Sequence, residues 1–176
     1  VVHVALACVA LIGAVASGRW IVTILRFRST GFDVSDEAYY LVASTHPDAY
    51  AHGPTDFGRY LAPVWRAVGE DLGRFRLAGL AAVLVTAAAA GRELSAWVDV
   101  RRAPTYRRAH RALVHVAASS TVLSGLLLCY SLWLVTPGYN LMAMCLVCGV
   151  AMTTIGCVRI GISRPTGDGG EPGPVS

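Results

Sequence analysis

The sequence predicts an all-α polytopic membrane protein: four transmembrane helices, with an extracytoplasmic loop of two short interfacial helices between spans 1 and 2. Three observations predict it. Of 176 residues, 55% are hydrophobic and only 15% are charged, against about 25% charged in a soluble domain. Mean hydropathy is +0.53. Four apolar stretches approach the roughly 20 residues that cross a hydrocarbon core. This composition excludes a disordered chain and an ordinary soluble enzyme. The net charge of +4 rests on 15 basic residues, all arginine. They are scattered, so no basic patch marks a nucleic-acid partner; the expected environment is a lipid bilayer.

The first span is Val1–Leu25, whose only strongly polar residue is Arg19. The apolar run is already under way at Val1, so the span is expected to begin upstream. A cleaved signal peptide is the weaker reading, because no basic region precedes the run and it resumes after Arg19. The second span is Leu72–Ala90, with Arg74 and Arg76 placed to snorkel toward head groups. The third is Ala112–Val135, where His115 is the lone imidazole, expected neutral and packed. The fourth is Leu141–Val158. Thr136-Pro137-Gly138-Tyr139-Asn140 supplies a tight turn between the last two, with Trp133 and Tyr139 suited to the interface. Residues 1–162 form the transmembrane region, and the Gly- and Pro-rich 163–176 tail is expected to be disordered.

Arginines set the expected orientation. Gly91–Arg111 holds six of them, and Arg159 and Arg164 follow the fourth span. The positive-inside rule puts both segments in the cytoplasm of a multi-pass plasma (inner) membrane protein, with loop 26–76 outside. Five cysteines lie in apolar runs, and no disulfide framework is read. Cys145 and Cys148 are expected to be buried helix cysteines rather than a zinc or redox pair.

Loop 26–76 carries most of the information. Ser35 can cap a short helix from about Asp36 to Ser44, ending before His46-Pro47, and Asp36 and Glu37 in its first turn oppose the helix dipole favourably. A second helix begins near Thr55 or Asp56. Its stripe of Phe57, Tyr60, Leu61, Val64, Trp65 and Val68 follows helical spacing. It is too short to span and is expected on the membrane surface, with Tyr60 and Trp65 at head-group depth and a kink at Pro63. Gly69 breaks it, and Asp71 caps the second span. His46 and His52 read as surface-loop residues rather than zinc ligands. On spacing alone, Asp36 and Glu37 remain first-turn capping acids or a general base beside lipid.

Phe32-Asp33-Val34-Ser35-Asp36-Glu37-Ala38-Tyr39-Tyr40-Leu41 after a first span resembles the opening of the GT-C superfamily of integral-membrane glycosyltransferases. Protein O-mannosyltransferases and bacterial aminoarabinose-type lipid A transferases are members. Phe57-Gly58-Arg59-Tyr60-Leu61-Ala62-Pro63-Val64-Trp65 resembles the family's juxtamembrane helix. Gly69-Glu70-Asp71 through Leu80 is similar to the start of its second span, and Thr136–Leu141 to a Pro-x-Tyr-Asn turn of bacterial relatives. The resemblance implies sugar transfer from a polyprenyl-phosphate-linked donor to an acceptor on the extracytoplasmic face. Asp36 would be the catalytic base, or would hold a divalent cation (Mg or Mn) in members that need one, and Glu37 would support it. Tyr39 and Tyr40 belong to the same substrate-binding element. Asp56 is the nearest acid before Pro63, where the aminoarabinose-type branch places a second acid. Arg59 and Arg66 would steady the leaving phosphate. Family members have more spans, so the chain is expected to correspond to an N-terminal portion, inactive alone. The rival expectation is a non-catalytic four-span scaffold or assembly subunit, a homo- or hetero-oligomer packed through small residues of the second and fourth spans.

Overall fold

The computed structural model describes residues 2–30, 36–50, 56–101, 108–133 and 136–163. Every regular element among them is helical: α1 (Val2–Phe27), α2 (Asp36–Thr45), a 3-10 turn (Pro47–Tyr50), α3 (Phe57–Ala67), α4 (Leu72–Arg101), α5 (Arg108–Trp133) and α6 (Tyr139–Ser163). Four of these, α1, α4, α5 and α6, are long and apolar enough to cross a membrane. The chain is therefore a multi-pass membrane protein by helix length and composition.

α1 packs against α5, α5 against α4, and α4 against α6. One end of this bundle carries α2, the 3-10 turn and α3, which pack on one another. The core is shared by all four long helices: Ile24 of α1, Leu80, Val83 and Ala87 of α4, Leu126, Leu127 and Tyr130 of α5, and Leu141 of α6. A second cluster binds the short helices, with Tyr40 and Ala43 of α2, Phe57, Leu61 and Trp65 of α3, and Phe75 of α4.

The seam between α1 and α5 is built from small residues. Ala10, Gly13 and Ser17 are the buried face of α1 along this stretch. The Ser124 hydroxyl donates to the Gly13 carbonyl at 2.8 Å and lies 2.9 Å from the Ser17 hydroxyl. Without a hydrophobic drive between helices in lipid, close approach and interhelical hydrogen bonds hold such a seam.

Helix boundaries follow local chemistry. Asp71 caps α4: its Oδ1 accepts from the Arg74 amide at 2.7 Å. Gly69 and Glu70, at φ +75 and +57, turn the chain between α3 and α4. All five cysteines are free. Cys145 and Cys148 are half-buried in α6.

Several expectations need correction. Arg76 does not snorkel; it is 4% exposed. Its guanidinium donates to the carbonyls of Phe27, Arg28 and Thr30 at 3.3, 2.9 and 2.8 Å, and to the Thr136 hydroxyl at 3.2 Å. These carbonyls lie at and just beyond the end of α1, where intrahelical donors run out. Trp65 packs edge-on against Phe75 inside the second cluster, whereas Tyr60 is the residue left outside. The stretch from Gly91 to Arg101, expected as loop, continues α4. His115 is not a solitary packed imidazole: it lies 3.2 Å from Asp99. Ser35, the expected cap of α2, His52 and the 164–176 tail lie outside the described residues.

Candidate functional site

A cavity of about 280 Å³ lies where α2 meets the α5–α6 turn. Its walls are Tyr40, Tyr130, Thr136, Gly138, Asn140 and Met144, with Cys129 and Leu141 completing them. Each arrives there for a local reason. Tyr40 is buried because α2 presents it to Phe57 at 5.3 Å and to Tyr139 at 5.7 Å, both edge-on. Such pairs favour T-shaped rings. Gly138 has no side chain, so the Tyr40 ring can lie directly on its backbone. Gly79 does the same for Tyr130 and Pro137 on the α4 side.

Polar groups converge on this space. The Thr136 hydroxyl is held by the Arg76 guanidinium. The Tyr130 hydroxyl donates to the Arg76 carbonyl at 3.4 Å. Asn140 is half-buried, and its carboxamide has no hydrogen-bond partner among the described residues. One amide with two donors and an acceptor is therefore open to a ligand. The mouth meets apolar surface, since Cys129 is exposed on α5 and Tyr139 is 45% exposed on α6. Few oriented polar groups on a mainly apolar wall are the usual makings of a ligand site.

Asp36 opens α2, one turn before Tyr40, about 6 Å along the axis at 1.5 Å per residue. The side chains of Asp36 and Glu37, and with them the metal assignment to Asp36, lie outside the described residues. Tyr39 is half-buried at 6.0 Å from Phe57. The other candidates sit apart from the cavity walls. Asp56, Arg59 and Arg66 are all exposed. The buried face of α3 is Phe57, Gly58, Leu61, Ala62 and Trp65. Arg59 stands 3.6 Å from Asp48, both largely exposed. An ion pair of that kind contributes little. Tyr40 is thus the one candidate binding residue among the described side chains that the fold brings to the cavity.

Sequence reading missed Tyr130, Asn140 and Arg76 as members of this region. A phenol following the apolar Leu126–Cys129 run was the available signal for Tyr130. Asn140 was read only as the last residue of a turn.

At the opposite end, His115 pairs with Asp99, and His110 Nδ1 lies 3.1 Å from His3 Nε2. Arg159 reaches Glu93 at 3.2 Å between α6 and α4. No group of three or more potential metal ligands occurs among the described residues. No protein-family model, curated protein or solved structure matches the chain.

Proposed function

We propose that the chain is a membrane glycosyltransferase of GT-C type, or the N-terminal part of one. It would transfer a sugar from a polyprenyl-phosphate-linked donor to an acceptor on the extracytoplasmic face of the plasma (inner) membrane. The observation that carries this reading is the position of Tyr40: one turn after Asp36, it walls a mainly apolar cavity that holds a few polar groups and opens beside the exposed Cys129. A substrate whose chain stays in oil and whose head is hydroxyl-rich suits that position. The open carboxamide of Asn140 would hold a sugar hydroxyl.

In the proposed reaction the acceptor hydroxyl attacks the anomeric carbon, and its proton passes to the Asp36 carboxylate. The bond from that carbon to the donor phosphate breaks, and the electron pair leaves on the lipid phosphate. A hydroxyl is a poor nucleophile until a base takes its proton. Glu37 supports the base, and Arg66, exposed on α3, together with Arg59, once it leaves its weak surface pair with Asp48, would meet the departing phosphate.

The test is sugar transfer in membranes containing the protein, with a labelled polyprenyl-phosphate sugar. Asp36→Asn is expected to lower the rate about 10²–10⁴-fold, the usual weight of a general base. Asn140→Ala is expected to raise KM more than it lowers kcat. Undiminished transfer by Asp36→Asn would refute the catalytic assignment.

A second reading, a non-catalytic scaffold, is favoured by α6. Gly149 and Gly161 have open space where a side chain would project, so a further helix could approach closely. Retained function on changing both Asp36 and Glu37, with a stoichiometric partner bound along α6, would select it.

A further inference from the structure

The face of α1 turned away from α5 carries a charge that neither the core nor the cavity uses. Arg19 is exposed, and its guanidinium has no partner among the described residues. Its neighbours on that face are apolar: Leu11, Ile12 and Val15 are each more than 60% exposed, at 66%, 69% and 64%.

Depth can be read from the molecule itself. The carbonyls that Arg76 gathers from Phe27, Arg28 and Thr30 mark a polar level at the end of α1. Arg19 lies eight residues before Phe27, about 12 Å along the axis. In a hydrocarbon core about 30 Å thick starting near that level, Arg19 is inside it, nearer this end than the other. A bare guanidinium there is costly, and its stem lets it reach toward the head groups.

A groove runs lengthwise on this face, from Leu11 and Ile12 through Val15 and Ala16 to Arg19, with Thr23 beyond. Its charged group is at the end nearer the polar level, and its deeper part is apolar throughout. That polarity, charge toward the boundary and hydrocarbon inward, is the polarity of an amphiphile whose head is drawn down toward Arg19. We propose that this groove binds an anionic membrane lipid, with the phosphate on Arg19 and a hydrocarbon chain laid along Ala16, Val15 and Ile12. The guanidinium fork matches two phosphate oxygens. Trp20, beside it, is half-buried and packs back against the helix core, closing that side of the groove. A carboxylate on a second copy of the chain is the competing occupant. The site is independent of any role for Asp36.

The test is native mass spectrometry of the purified chain in uncharged detergent, titrated with phosphatidylglycerol or phosphatidylcholine of identical chains. Phosphatidylglycerol is expected to bind the wild type in preference. Arg19→Leu is expected to cut its occupancy roughly fivefold, the weight of one basic residue at an anionic surface, and to leave phosphatidylcholine unchanged. Arg19→Lys should keep part of the preference, and Arg26→Leu most of it. Millimolar inorganic phosphate should not displace the lipid, because the apolar rows contribute to holding it. Equal phosphatidylglycerol binding by Arg19→Leu overturns the proposal. So does a wild-type dimer that Arg19→Leu dissolves. Arg19→Leu faces lipid and should melt like the wild type, which separates lost binding from lost folding.

Discussion

Arg76 concentrates several kinds of physics in one side chain. The last carbonyls of α1 have no partners within their own helix, and the buried Arg76 guanidinium supplies one. A buried cation at a helix C-terminus also opposes the negative end of the helix dipole. The same guanidinium holds Thr136, so it ties the end of α1 to α4 and to the wall of the cavity. Net worth of a hydrogen bond to a charged group is about 1.5–3 kcal/mol, and removing one partner strands the other. Arg76→Leu is therefore expected to cost about 3 kcal/mol or more in an unfolding titration in mixed micelles. Arg76→Lys should recover little, since an ammonium lacks the planar fork that reaches several acceptors at once. A lysine variant as stable as the wild type would refute this account. In sequence, Arg76 falls in register with Leu80, Val83 and Ala87, the buried face of α4. That signal was present but silent, because a span that is apolar all round does not say which face is inside.

Among the elements, α2 and α3 were legible and their embrace was not. The Ser-Asp-Glu start and the His-Pro stop delimit α2 to within a residue. Helical spacing found α3, but it assigned the whole stripe to lipid. Half of that stripe instead faces protein, α2 and the start of α4: Phe57, Leu61 and Trp65 are buried, while Tyr60 and Val64 are exposed. Amphipathicity measures a face, and a short partner helix satisfies it as well as a bilayer does. The approach depends on Gly58, where an added Cβ would collide with the backbone carbonyl of Ala43. Backbone cannot yield as a side-chain tip can. Gly58→Ala should therefore push the two helices apart and destabilise by about 1–3 kcal/mol, as overpacking does. Hydrogen exchange is expected to quicken in α2 and α3 with α4–α6 unchanged. Unaltered exchange in α2 would show that the contact tolerates a methyl group. α4 shows the complementary blind spot. Hydropathy marks where a helix leaves the hydrocarbon core, not where it ends, so the charged Gly91–Arg101 turns passed for loop.

On the scale of the whole molecule, the four spans bring both ends of the described chain to the same side, opposite α2 and α3. The fold class was readable because hydropathy is summed over some 20 residues and tolerates local errors. The cavity was not, because its walls come from segments as distant as Tyr40 and Asn140 and meet only through packing. Which side is outside turns on charge. Arginines count toward orientation when they sit in short loops close to span ends. Around α2 and α3, Arg76 is consumed by carbonyls and Arg59 is partly offset by Asp48. The α4–α5 connection keeps Arg92 and Arg111 exposed beside four further arginines. The effective imbalance is therefore larger than the equal count of six arginines in each segment implies. With the native cysteines replaced, Asp48→Cys in the 3-10 turn, whose side chain is 94% exposed, should react in intact cells with a membrane-impermeant maleimide. Ala109→Cys, exposed at the start of α5, should react only after the membrane is opened. The reverse pattern would put Asp36 on the cytoplasmic side, where a donor presented in the outer leaflet could not meet it.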